Sequence, residues 1–118
     1  MTSTHDPQLL KGVLSLLLLQ LLAERESYGY EVVQRLHEIG FVDILEGTVY
    51  PALARLEREA RVSARLVSSN AGPARKYYRL TRAGYEALAT GTANWLSLAE
   101  VVGSVLNRPV PPEPIKGT

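Results

Sequence analysis

Between Leu9 and Leu22, ten of fourteen residues are Leu or Val, and they fall on nearly every side of a helix rather than along one stripe. A surface helix needs only one apolar face, roughly 100° wide, turned toward its own core. Apolar side chains most of the way round require a second cover. The run is interrupted by Lys11, Ser15 and Gln20 and falls short of the roughly 20 apolar residues that span a bilayer, so the cover must be protein. With 118 residues the chain is long enough for one domain and one core. In so small a chain the natural second partner is another copy of itself. Leu9, Val13 and Leu16 are therefore expected in a homodimer interface.

Composition removes several classes of function. The absence of cysteine excludes a disulfide scaffold, a thiol nucleophile and thiolate metal sites, and fits a reducing compartment. A 46% hydrophobic content is too high for a disordered chain. Asp6 and Pro7 precede the apolar run, with no basic region and no small-residue cleavage site, so no secretory signal is expected and the cytoplasm is the expected location. The two histidines, His5 and His37, have no partner spaced for metal binding or acid/base work. There is no glycine-rich phosphate loop and no Gly-x-Ser-x-Gly elbow. No catalytic residue, metal or cofactor is expected, and the chain does not read as an enzyme.

Periodicity orders the elements. A first helix is expected from Pro7 to Glu24, then a turn at Arg25–Tyr28. A second helix over Gly29–Ile39 would turn either Tyr30, Val33 and Leu36 or Val32, Leu36 and Ile39 inward, with Gly40 ending it. Thr48 can cap a third helix with Val49, Ala52, Leu53 and Leu56 inside and Arg55 and Arg58 outside; Pro51 is tolerated near its start. Val62–Ser68 and Lys76–Leu80 read as a two-stranded hairpin around Ser69–Pro73. Thr81 can cap a long last helix to Asn107, and Pro109, Pro111, Pro112 and Pro114 mark a tail expected to be disordered.

This order, mainly α with a small β-hairpin, is that of a winged helix-turn-helix followed by a long C-terminal dimerisation helix. The divisions expected are a DNA-binding domain over 1–80, the dimerisation helix over 81–108 and the tail over 109–118. Charge supports the assignment. Arg55 to Arg82 holds eight basic residues against two acids, a net of +6, while the remainder of the chain carries −5. In a winged helix-turn-helix the third helix enters the major groove beside the hairpin, or wing. Those two elements hold the positive charge, as a surface meeting a polyanion requires.

Three strings carry a resemblance: Tyr28-Gly29-Tyr30-Glu31-Val32; Glu46-Gly47-Thr48-Val49-Tyr50-Pro51-Ala52-Leu53-Ala54-Arg55-Leu56-Glu57; and Gly72-Pro73-Ala74-Arg75-Lys76-Tyr77-Tyr78-Arg79-Leu80-Thr81 with Gly84. In this order and spacing, across roughly residues 9–90, the chain resembles the PadR family of transcriptional regulators, and its single C-terminal helix resembles the short subtype. The resemblance implies a homodimeric repressor on a pseudo-palindromic operator in double-stranded DNA, released by a small effector. One position departs from the family pattern. Where the family usually has Gly and then an apolar residue after Leu56-Glu57-Arg58-Glu59, this chain has Ala60 and Arg61, and Ala in a left-handed helix terminator costs about 1 kcal/mol. Either the turn is rebuilt or the strain is tolerated, and wing orientation depends on which.

Thr48 and Tyr50 near the start of the third helix suit hydrogen bonds to phosphate, or else Thr48 only caps and Tyr50 only packs. Tyr28 and Tyr30 begin the helix that crosses the backbone; Tyr28 is the candidate contact and Tyr30 is expected to pack on the first helix. Arg55 and Arg58 face outward. Asn70 and Gly72 are expected to permit positive φ at the wing turn, with Arg75 and Lys76 on phosphate. One of Tyr77 and Tyr78 belongs in the core and the other outside. In the last helix Tyr85, Leu88, Thr92, Trp95, Ala99, Val102 and Leu106 alternate at spacings of three and four, with Leu98, Val101 and Val105 alongside. One stripe would meet its own domain and the other its twin, so Leu88, Trp95, Leu98, Val102 and Leu106 join the interface. By the resemblance, Trp95 with Ser15, Leu16 and Leu98 is the candidate site for a planar hydrophobic effector; a plain interface anchor is the alternative. A second reading, a winged-helix protein-interaction or drug-sequestering module without DNA binding, has no need of the +6 strip.

Overall fold

Leucine packing sets the architecture of the chain, whose computed structural model describes residues 6–115. His5 and tail residues 116–118 lie outside the described residues. The elements are α1 (Pro7–Lys11), α2 (Leu14–Glu24), β1 (Ser27–Tyr28), α3 (Gly29–Ile39), α4 (Glu46–Arg58), β2 (Val62–Ser69), β3 (Gly72–Leu80) and α5 (Arg82–Leu106). The fold is mainly helical, as expected. Its sheet has three antiparallel strands in the order β1-β3-β2, one more than the hairpin alone.

The single helix expected from Pro7 to Glu24 is broken at Gly12 and Val13. Gly disfavours a helix interior by about 1 kcal/mol relative to Ala, and a β-branched residue follows it. Val13 takes φ −119°, and its N–H bonds to the Leu10 carbonyl at 3.0 Å. Leu9 on α1 is left exposed, while Leu18, Leu19, Leu21 and Leu22 of α2 are buried. They pack with Val32, Val33 and Leu36 of α3, Ile44, Val49, Leu53 and Leu56 of α4 and its approach, and Val62, Tyr78 and Leu80 of the sheet. On α3 the inward face is thus Val32, Val33 and Leu36. Tyr30 and Ile39, each expected inside on one of the two candidate stripes, are exposed, because the stripe is centred between the two.

Two helices end by the same device. Gly40, at φ 130°, closes α3 with Phe41 N–H bonded to the Leu36 carbonyl. At the end of α4, Ala60 adopts φ 60°, the single non-glycine residue with positive φ among those described. Its N–H bonds to the Glu57 carbonyl at 3.0 Å and that of Arg61 to Leu56 at 2.9 Å, the Schellman pattern. The turn has not been rebuilt around Ala60; the strain is held. Thr81 Oγ1 donates to the Ala60 carbonyl at 2.7 Å and accepts from Gly84 N–H at 3.1 Å, capping α5 as expected.

Gly84 is buried against the start of β2, where a Cβ would stand 2.0 Å from the Arg61 carbonyl oxygen. Past its contacts with α2 near Gly91 and Trp95, α5 leaves the body, and the molecule extends 70 × 31 × 21 Å. Its radius of gyration is 18.6 Å, against about 13 Å for a compact chain of similar length.

Replacing Ala60 by Gly should raise the unfolding free energy by about 0.5–1 kcal/mol, since relief of the left-handed strain exceeds the added freedom of the unfolded chain. Gly84→Ala should lower it by about 1–3 kcal/mol. Urea denaturation of both variants checks the pair, and an unchanged midpoint for Gly84→Ala would show that the junction yields.

Candidate nucleic-acid interface

The exposed side of α4 is set by what its other side buries. With Val49, Leu53 and Leu56 turned inward, helical spacing carries Gly47, Thr48, Pro51, Arg55 and Arg58 to the outside, and all five are exposed. Thr48 is not the cap expected of it. The helix begins at Glu46, Leu45 is the capping residue without a side-chain bond, and Thr48 N–H bonds to the Leu45 carbonyl. Its hydroxyl is thereby left on the outer face. Pro51 consequently lies inside the helix rather than at its start, where it removes one backbone donor toward Gly47.

The wing also differs in detail from expectation. β3 begins at Gly72, four residues earlier than Lys76, and Ser69 pairs directly with Gly72. Asn70 and Ala71 form the tip, with the register slipping between Val67 and Ser69. Neither Asn70 nor Gly72 has positive φ, and nothing approaches the place of a Gly72 Cβ. The slip in register turns the chain where left-handed residues were expected. Pleating then sends Arg75, Tyr77 and Arg79 to one face of β3 and Lys76, Tyr78 and Leu80 to the other. Tyr78 is the core tyrosine. Tyr77 packs edge-on against Tyr28, ring centroids 5.3 Å apart.

Between α3, α4 and the wing lies a cavity of about 420 Å³ lined by Tyr28, Gly29, Tyr30, Tyr50, Arg75, Lys76 and Tyr78. Gly29 is required there, because a Cβ would come within 2.9 Å of the Tyr50 ring. Burial, then the Glu46 carboxylate, pushes the Tyr50 phenol above its ordinary range, so near neutrality it keeps its proton and can donate. Of the sequence candidates, Tyr28, Tyr50, Arg75 and Lys76 meet in this notch, and Thr48, Arg55 and Arg58 share the adjoining face of α4. Asn70 sits apart at the tip. Tyr30 was missed as a rim residue. The signal for it was the Val32–Val33–Leu36 stripe, which leaves Tyr30 to one side.

The cations of the +6 strip are not equally free. Arg55 pairs with Glu59 at 3.4 Å, Arg61 with Glu59 at 3.9 Å, Arg65 with Glu26 at 2.7 Å, Lys76 with Glu57 at 2.9 Å and Arg82 with Glu86 at 3.6 Å. Among the described residues Arg58, Arg75 and Arg79 have no such carboxylate partner, though Arg79 Nε donates to Ser63 Oγ at 3.4 Å. Arg75 instead lies over the Tyr28 ring, its Cζ 4.4 Å from the centroid.

A second concavity, about 320 Å³, lies between α2 and α5. Ser15, Leu16, Trp95 and Leu98, the four effector candidates, all line it together with Gly12, Leu19, Arg61, Ala87, Gly91 and Asn94. Gly91 allows the approach, since a Cβ there would meet Leu16 at 2.9 Å. The interface candidates divide along the length of α5. Leu88 packs on the core, whereas Trp95, Leu98, Val102 and Leu106 are exposed, as are Leu96, Val101 and Val105. The expected division into two parallel stripes is replaced by one along the axis, because only the first turns of α5 overlie the domain. Leu9 is exposed, and Val13 and Leu16 are half-buried.

Residues 18–90 match the model of the transcriptional regulator PadR-like family. The chain belongs to the PadR family. Among solved structures it is similar to a Streptococcus transcriptional regulator, with 39% identity and TM-score 0.77 over 86% of this chain and all of the other. It is also similar to a PadR-like transcriptional regulator from Bacillus cereus (36% identity, TM-score 0.77, 86% of this chain and 99% of that one). A PadR family transcriptional regulator from Eggerthella lenta gives 33% identity and TM-score 0.79 over 86% and 88%. This PadR protein is a DNA-binding transcriptional regulator and not an enzyme, and the module without DNA binding gives way. Among the described residues no helix is long and apolar enough to cross a membrane.

The bidentate Arg65 guanidinium holds the Glu26 carboxyl below its ordinary range. Because the folded value is depressed, the pair's stabilisation is present above the unfolded value near 4.5 and is lost as pH falls through the folded one. NMR titration should find Glu26 titrating at higher pH in Arg65→Gln than in the wild type; equal midpoints in the two proteins would remove the pair.

Proposed function

We propose that this PadR protein works as a homodimeric repressor that binds a pseudo-palindromic operator and is released by a small planar hydrophobic effector. The observation that carries the reading is the run of exposed apolar side chains on α5 from Trp95 to Leu106, on a helix that projects from the body. An apolar surface of that length is rare on a monomer. A twofold pairing in which α5 of one copy lies along α1 and α2 of the other covers Leu9, Val13, Leu16 and the outer half of α5 together. Leu88 contributes by fixing the root of the helix.

Symmetry then presents two α4 helices, and successive major grooves on one face of a duplex are about 34 Å apart. Thr48 and Tyr50 donate to phosphate, Arg55 and Arg58 reach the groove from the outer face of α4, and Arg75 and Lys76 follow the backbone from the wing, with Asn70 at its tip and Tyr28 beneath. The α2–α5 groove joins the reading heads to the dimer helix. A planar ligand stacked on Trp95, at roughly 0.5–2 kcal/mol per aromatic or cationic contact, shifts the equilibrium only by its preference for the geometry that does not fit the operator. Ser15, Leu16 and Leu98 complete the walls. Position 99, where an acid would attract a cationic ligand, is Ala here, and Glu100, one residue on, does not line the groove, so nothing in the lining favours a cation.

Sedimentation equilibrium at micromolar concentration should give twice the 13.0 kDa chain mass; a monomer contradicts the dimer. In gel shifts with the duplex upstream of the protein's own gene, a planar aromatic dye that quenches Trp95 fluorescence should also weaken binding, and Trp95→Ala should lose both effects. The double variant Arg75→Ala, Lys76→Ala should weaken binding to every duplex and flatten the salt dependence by about two phosphate equivalents. A slope equal to wild type removes the wing from the contact surface.

A further inference from the structure

Arg75 and Lys76 are neighbours in sequence but lie on opposite faces of β3 and are held by opposite chemistries. The Arg75 guanidinium rests on the Tyr28 ring at 4.4 Å, with no carboxylate within ion-pair distance among the described residues. Stacking of this kind orients a guanidinium and leaves its N–H edge open to an acceptor. Lys76 instead faces α4, where its Nζ donates to Glu57 Oε1 at 2.9 Å, beside the Tyr78 ring at 5.5 Å. The Glu57 carboxylate, then the Tyr78 phenol, hold the Lys76 ammonium above its ordinary range, so it carries its full charge at neutral pH. Both partners remain partly open to solvent.

We propose that Glu57 occupies Lys76 in the free protein as an internal stand-in for a DNA phosphate, and that docking of the duplex moves the ammonium from the Glu57 carboxylate to the backbone. Glu57 thus sets a threshold that a phosphate must overcome. Arg75 has no such threshold, so the two cations of one wing engage in different ways. A partly exposed lysine–carboxylate pair contributes little to stability, weak enough for the dense row of phosphates on a duplex to displace. The inference rests on the wing reading above, and the experiment separates the two.

Binding of a random-sequence duplex and of the duplex upstream of the gene is measured across a salt series for wild type, Glu57→Gln, Lys76→Gln, Arg75→Ala and the Glu57→Gln, Lys76→Gln double variant, each checked by thermal melting. Glu57→Gln should bind both duplexes about two- to fivefold more tightly at fixed salt. Lys76→Gln should lower the salt slope by about one, and in its background Glu57→Gln should have almost no effect. Weaker or unchanged binding by Glu57→Gln overturns the inference, as does an equal gain with and without Lys76, which would be a general charge effect. If neither Arg75→Ala nor Lys76→Gln changes the slope, the wing does not meet the backbone and the inference falls with that reading. If the slopes drop but Glu57→Gln gains nothing, the inference falls alone.

Discussion

The relation between α3 and the wing depends on two residues of extended chain. Ser27 pairs with Tyr78 and Tyr28 with Tyr77, which fastens the N-terminus of α3 to the middle of β3. Beneath this short strand Arg35, almost wholly buried, donates to Ser27 Oγ at 3.0 Å and to the Glu24 carboxylate at 2.9 Å. A guanidinium removed from water is tolerated only with partners in place, and breaking such a pair from one side costs several kcal/mol. The end of α2, the strand and the second turn of α3 are therefore tied at one point. The Tyr28 ring that receives Arg75 is carried by the same strand. The placement of the wing cation is a consequence of core chemistry, not of surface charge alone.

Large parts of this were legible in the sequence. The helix of residues 29–39 and its Gly40 stop, the inner face of α4, the hairpin and the Thr81 cap follow from spacing and from which residue types tolerate each backbone position. The four residues placed around Trp95 do line one groove. The failures have physical reasons. Gly12 and Val13 break a helix whose hydrophobic pattern runs straight through them, because pattern reports what is buried and not where the backbone bends. Thr48 has the chemistry of a cap, but Leu45 precedes it at a position where tertiary packing of Ile44 and Val49 fixes the helix start. β1 has only two residues, and its pairing is decided by a strand about 50 positions later; no local signal marks it.

The charge strip shows a limit of a different kind. A net count over residues 55–82 treats each arginine and lysine as available, yet ion pairing is a property of the folded arrangement. Glu26 lies 39 positions before Arg65, and Glu57, inside the strip itself, is placed by α4 to meet Lys76 across 19 positions. What remains without a carboxylate among the described residues is more selective than the sum: Arg58 at the end of α4, Arg75 over an aromatic ring and Arg79 beside Ser63. Electrostatic attraction to a polyanion acts over a Debye length of about 8 Å at physiological salt and still feels the local excess. A cation that folding has already paired can meet a phosphate only by exchanging its carboxylate for it.

The junction where α4 ends explains how such a surface can respond to what happens on α5. Ala60 turns the chain in a strained conformation, and its carbonyl is held by the Thr81 hydroxyl that also caps α5. One residue on, the Arg61 carbonyl accepts from Thr81 N–H at 3.1 Å and presses on the bare Cα of Gly84. The end of α4, the residue before β2 and the root of α5 thus meet through backbone atoms and one hydroxyl. Packed backbone of this kind has few alternative arrangements and transmits displacement rather than absorbing it. In the proposed release, a ligand that wedged α2 from α5 near Gly91 and Trp95 would push on a helix whose root is bonded directly to the end of α4, and a tilt of α5 would carry the arginine face of α4 with it.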